Sequence, residues 1–136
     1  MIRLTKIFHF EMAHAIYGHD GTCKNIDGHS YEMEVNIGGE PNIDSQHPRF
    51  GMVMDFADLK AIVKEQIVDK HDHSLVLNAH SPHHDIPELH AHFEKVYFVD
   101  YQPTCENMLM DFKDRIAGKL PPGVTLLSIK LKETPT

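Results

Sequence analysis

Two stretches near the N-terminus alternate apolar and polar residues with period two, the mark of half-buried strands. Over residues 4–14, Phe8, Phe10, Met12 and His14 share one side, while Thr5, Ile7, His9 and Glu11 share the other. From His29 the odd positions read His29, Tyr31, Met33, Val35 and Ile37, and the even ones Ser30, Glu32, Glu34 and Asn36. The spacing then changes. Phe56, Leu59, Ile62, Val63 and Ile67 recur at helical intervals and predict a helix over 56–69, with Asp55 as N-cap and Asp58 in its first turn. Residues 95–101 read as a short strand. Thr104 is placed to cap a second helix that carries Met108, Leu109, Phe112 and Ile116 inward and is closed by Gly118. A last strand over 124–133 sets Leu127, Ile129, Leu131 and Glu133 on one face and Ser128, Lys130 and Lys132 on the other. The order strand, strand, helix, histidine-rich loop, short strand, helix, strand predicts an α+β domain, an antiparallel sheet with two helices packed on one face.

Length and charge narrow the picture. The 136 residues suit one domain, 1–136, with a real core. A net charge of −7 with no basic patch speaks against a nucleic-acid partner but leaves room for a small phosphorylated ligand. No long apolar run or signal-peptide pattern is present, which points away from the membrane and to a cytoplasmic, reducing setting in which Cys23 and Cys105 are free thiols. Twelve histidines raise the weight of metal chemistry. Five of them, His80, His83, His84, His90 and His92, fall in a polar loop to which no function is assigned.

The candidate chemistry sits at strand ends. His14 closes the apolar face of the first strand, and Asp27 and His29 share the apolar face of the second, so a hairpin brings the three together. Two imidazoles and a carboxylate hold a divalent metal and leave a position open, as catalytic zinc sites do. Two His with one carboxylate is also a non-haem iron pattern, so Fe2+ is admissible beside Zn2+. Cys23 lies beside this trio. Asp72 and His73 are adjacent at the exit of the first helix; the dipeptide alone leaves open a solvated pair or a carboxylate-oriented general acid/base. Glu106 suits the helix dipole in the first turn of the second helix. Glu133 points where apolar side chains point, and such a carboxylate needs a partner rich in N–H donors unless the strand end frays.

These residues carry a family resemblance. Phe10-Glu11-Met12-Ala13-His14, Cys23 through Tyr31, Gly51 through Phe56, Asp72 through Asn78, Pro103-Thr104-Cys105-Glu106-Asn107 and Glu133-Thr134 follow one another in an order that resembles the 6-pyruvoyltetrahydropterin synthase family, which includes the 6-carboxytetrahydropterin synthases of queuosine biosynthesis. The resemblance implies a tunnelling fold, in which subunits join their sheets into a barrel as a homotrimer or a hexamer of two trimers. It implies a zinc ion at the positions of His14, Asp27 and His29, and here this sequence departs: the family has histidine where Asp27 stands. It implies a catalytic Cys at Cys23 and an Asp-His dyad, contributed across a subunit boundary, at Asp72 and His73. Glu133 matches the glutamate that anchors the pterin ring, with Glu106 and Thr104 at further substrate-binding positions. The expected activity is a lyase acting on 7,8-dihydroneopterin triphosphate to give 6-carboxy-5,6,7,8-tetrahydropterin. The alternatives are triphosphate elimination to 6-pyruvoyltetrahydropterin, as in tetrahydrobiopterin biosynthesis, and a weakly catalytic pterin- or metal-binding paralogue.

Overall fold

A computed structural model describes residues 1–134. Strands β1 (Ile2–His14) and β2 (Asp27–Gly39) form a long antiparallel hairpin whose register sets His14 opposite Asp27 and Met12 opposite His29. Helix α1 (Phe56–Val63) starts on Asp55, whose side chain accepts from the Ala57 N–H at 2.8 Å. It runs through a π-helical turn, Lys64–Val68, into a final turn, α2 (Asp69–His71). Strand β3 (Ser74–Asn78) follows, then the short helix α3 (Pro87–His92), strand β4 (Val96–Val99), helix α4 (Cys105–Ala117) and strand β5 (Thr125–Glu133). Thr104 caps α4, its hydroxyl accepting from the Asn107 N–H.

The strands form one sheet in the order β4-β3-β1-β2-β5. The α+β class and the helix-covered face are as the sequence predicts, but the sheet is mixed: β1 pairs with β3, and β3 with β4, in parallel. The run Leu75-Val76-Leu77 is apolar on both faces of β3, with Val76 and Leu77 buried and Leu75 half-buried, so it lacks alternation.

The core lies between the sheet and the helices. Phe10, Met33, Val35 and Ile37 of the hairpin meet Leu59, Val63 and Ile67 of the first helical segment and Met108, Phe112 and Ile116 of α4. Phe56, placed in the apolar stripe by its spacing, is 44% exposed instead. A bulge opposite Asn36 and Ile37 shifts β5, so that Leu126, with Ile129 and Leu131, packs on the core. Leu127 lies over Gly38, where the lack of a side chain makes room for it.

Candidate metal and pterin site

The helix-facing side of the sheet changes character at one end, from apolar residues to titratable ones. His14 at the end of β1, His29 near the start of β2 and Glu133 at the end of β5 each offer a ligand atom, and these atoms lie within 4.8 Å of one another. Strand register gathers them. Glu133 lies opposite Tyr31, and Tyr31 shares its face with His29 two residues earlier.

Backbone carbonyls orient both imidazoles. His14 Nδ1–H donates to the Pro103 carbonyl at 2.7 Å, and His29 Nδ1–H to the Thr134 carbonyl at 2.8 Å. In that tautomer Nε2 of each ring keeps its lone pair, the arrangement found where histidines ligate metals. The rings meet edge to face with centroids 5.4 Å apart. Tyr31 donates its hydroxyl to Glu133 Oε2 at 3.1 Å, and the same oxygen is 3.9 Å from His29 Nε2. Burial first, and then the Glu133 carboxylate, hold the Tyr31 phenol above its ordinary ionisation range, so it remains a donor.

The trio read from strand spacing was His14, Asp27 and His29. The structure brings both histidines together but gathers Glu133 with them rather than Asp27. Asp27 shares their face, opposite His14, but is the first residue of its strand and has one methylene fewer to reach with. The signal for Glu133 was its place on the apolar face of β5. Two imidazole nitrogens and a carboxylate fit a divalent cation, as the donor set for zinc or ferrous iron.

Cys23 sits exposed in a single 3-10 turn, Thr22–Lys24, in the loop joining the two strands that carry His14 and His29. Its carbonyl accepts from the Ile16 N–H at 2.8 Å, which closes the loop. Cys105, at the start of α4, is half-buried, and burial followed by the charges of Glu133 and Glu106 pushes its thiol up to about 11. Glu106 is exposed on the first turn of α4.

Asp72 and His73 form a pair, with His73 Nδ1 at 3.1 Å from Asp72 Oδ1. The Glu11 N–H donated to Asp72 Oδ1 at 2.9 Å is the main cause holding that carboxyl below its usual range, with His73 adding to it. His73 has φ 59, the left-handed region that most residues avoid, and its N–H donates to the Glu11 carbonyl at 2.6 Å. His73 borders an open groove of about 1140 Å³ with Glu11, His29, Ser30, Lys95 and Thr134. Glu11 and Ser30 alternate away from the core, so this groove opens on the face of the sheet opposite the helices.

Comparison with known proteins gives a consistent result. The family model described as 6-pyruvoyl tetrahydropterin synthase matches residues 3–136. A 6-carboxy-5,6,7,8-tetrahydropterin synthase of Haemophilus influenzae is 34% identical over 141 residues, covering 100% of this chain and 95% of the relative. A 6-pyruvoyl tetrahydrobiopterin synthase of Pongo abelii is 34% identical over 114 residues, 84% of this chain and 66% of the relative. Among solved structures, an uncharacterized protein of Wolinella succinogenes superposes with a TM-score of 0.80 at 19% identity, covering 98% of this chain and 93% of that one. The 6-pyruvoyl tetrahydropterin synthase of Caenorhabditis elegans gives 0.65 at 24% identity, covering 98% and 89%. The fold is the tunnelling fold of these synthases.

Proposed function

The chain belongs to the 6-pyruvoyl tetrahydropterin synthase family, and we propose that within it this protein is a 6-carboxy-5,6,7,8-tetrahydropterin synthase-like lyase acting on 7,8-dihydroneopterin triphosphate. One observation carries the reading. His14, His29 and Glu133 converge at the rim of the core with both Nε2 atoms turned inward, in a chain that aligns over its whole length with a relative bearing that name.

His14, His29 and Glu133 would hold the metal, zinc by family resemblance. Bound there, a divalent cation would supply Lewis acidity that lowers the cost of removing a proton from the substrate's side chain. Cys23 takes that proton as general base, from a loop tethered to both metal-bearing strands. His73, its ring oriented by Asp72, exchanges a proton on the opposite side of the substrate. By family resemblance the dyad works across a subunit boundary, so we assign it to the metal group of a neighbouring subunit. The working unit is then a homo-oligomer, trimer or hexamer. By family resemblance Glu106 and Thr104, at the head of α4, contribute to substrate binding, though the Thr104 hydroxyl oxygen is already engaged by its own helix.

Turnover of 7,8-dihydroneopterin triphosphate by the metal-loaded protein, followed by mass spectrometry, tests the reading. The carboxy product with acetaldehyde and triphosphate supports it. A pyruvoyl product, or none, contradicts it.

A further inference from the structure

His71 is fully buried, yet it is a histidine. Its Nδ1–H donates to the Ile67 carbonyl at 2.7 Å, which fixes the tautomer and leaves Nε2 with a lone pair that finds no partner among the described residues. The rings of Phe112, Tyr97 and Phe10 surround it, with centroids 4.8, 5.1 and 6.2 Å away. Burial pushes the imidazole down to about 4, so it is neutral near pH 7 and exchanges no proton there. An apolar side chain of similar size would fill this cage without stranding an acceptor, which is a net cost. What the imidazole adds is a donor on the Ile67 carbonyl.

The helical segment is irregular around that contact. Leu59, Val63, Ile67 and His71 recur every four residues and are all fully buried. In a regular α-helix each four-residue step overshoots a full turn by about 40°, so three steps swing the last residue about 120° from the first. The wider turn over Lys64–Val68 takes up part of that drift and keeps His71 on the core side. The final carbonyls are then given donors. Ile67 accepts from the His71 ring, Val68 from the Asp72 N–H at 2.8 Å, and Lys70 from the Ser74 hydroxyl at 2.6 Å. The next residue leaves the helix as Asp72, followed by left-handed His73, both tied to the backbone of Glu11. Lys95 holds the Asp72 carbonyl from the other side.

We propose that His71 is a positioning residue for the Asp72–His73 dyad: its ring, tied to Ile67 inside the aromatic cage, sets where the helix ends and so where the dyad begins. The inference rests on the reading of Asp72 and His73 as proton-exchanging groups. The test compares the full chain with His71→Leu, which fills the cage without a donor, and His71→Asn, whose amide nitrogen replaces Nδ1. Three quantities are read: the 15N imidazole signals of His73, assigned with His73→Gln; kcat and KM with 7,8-dihydroneopterin triphosphate; and the thermal midpoint. We expect a folded His71→Leu in which the His73 signals move and kcat falls about 10- to 100-fold with KM unchanged, a typical cost of a small misplacement. His71→Asn restores the His73 signals and most of kcat. Unchanged His73 signals in folded His71→Leu overturn the proposal, as does a folded His71→Asn with shifted signals. If His71→Leu does not fold, His71→Asn decides by the same criterion; if neither folds, His71 serves the fold and not the dyad, and the proposal falls. Absence of turnover in the unaltered protein counts against the activity, while the His73 signals still decide the positioning.

Discussion

Tyr31 and Glu133 stand opposite each other across β2 and β5, and the buried phenol donates to the carboxylate oxygen that faces His29. Because that hydroxyl cannot ionise in the working pH range, the carboxylate is held for the histidines by a donor that is always present. Metal affinity should therefore follow Glu133 rather than Asp27. Titration of Zn2+ into metal-stripped protein, by calorimetry, should show binding lost in Glu133→Gln, weakened about 10- to 100-fold in Tyr31→Phe as for other outer partners of metal ligands, and retained in Asp27→Asn. Loss in Asp27→Asn with retention in Glu133→Gln would restore the trio His14, Asp27 and His29. A raised KM in that same Glu133→Gln protein would then mark Glu133 as the anchor of the pterin ring.

Replacing Cys23 with Ala should lower kcat by about a hundred to ten thousand fold, the usual worth of a general base, with metal content and thermal midpoint unchanged. The residue is exposed in a 3-10 turn and supports no core contact, so a folding defect is not expected. Near full activity of Cys23→Ala would remove it from the mechanism.

The two thiols should differ in reactivity. Cys105 is half-buried and pushed up to about 11, whereas Cys23 is exposed. Since the thiolate is the reactive form, alkylation near pH 8 followed by peptide mass spectrometry should label Cys23 first and Cys105 far more slowly. Equal labelling would show that the packing at the head of α4 opens freely.

Acid should expose the neutral state of His71. Its pKa in the fold, about 4, lies below the roughly 6.5 of an unfolded histidine, so the unfolded chain takes up the proton first. The stability it favours is fully present above about pH 6.5 and is lost as pH falls toward 4, by about 3 kcal/mol in all. Urea unfolding across this range should show the loss, and His71→Leu should show a shallower one. Parallel slopes for the two proteins would contradict the buried, neutral assignment.

The hairpin was legible in the sequence because one of its faces is core and the other is not, and alternation records that difference residue by residue. Strand β3 carries no such signal: Leu75, Val76 and Leu77 are apolar in succession, without alternation, in a stretch whose motif, Asp72 through Asn78, points to the Asp-His pair and not to a strand. Its parallel pairing follows from crossover connections, which no local pattern encodes. The polar loop that holds His80 through His92 contains a 3-10 turn, Pro82–Asp85, and the short helix α3, neither carrying buried residues that would give a periodic signal. At the site, His14 and His29 were found from their own strands. Glu133 is legible as an inward carboxylate, but its meeting with His29 depends on the β2–β5 register, held by the Tyr31–Glu133 and His29–Thr134 contacts across 102 and 105 positions of chain. The bulge at Asn36 likewise moved Leu126 into the core where alternation had favoured Leu127.

The most direct test of the function is the product formed from 7,8-dihydroneopterin triphosphate by zinc-loaded protein, identified by mass spectrometry beside His14→Ala as control. The account predicts 6-carboxy-5,6,7,8-tetrahydropterin, acetaldehyde and triphosphate from the unaltered chain and none from the variant. Accumulation of 6-pyruvoyltetrahydropterin, or equal turnover by both proteins, would contradict it.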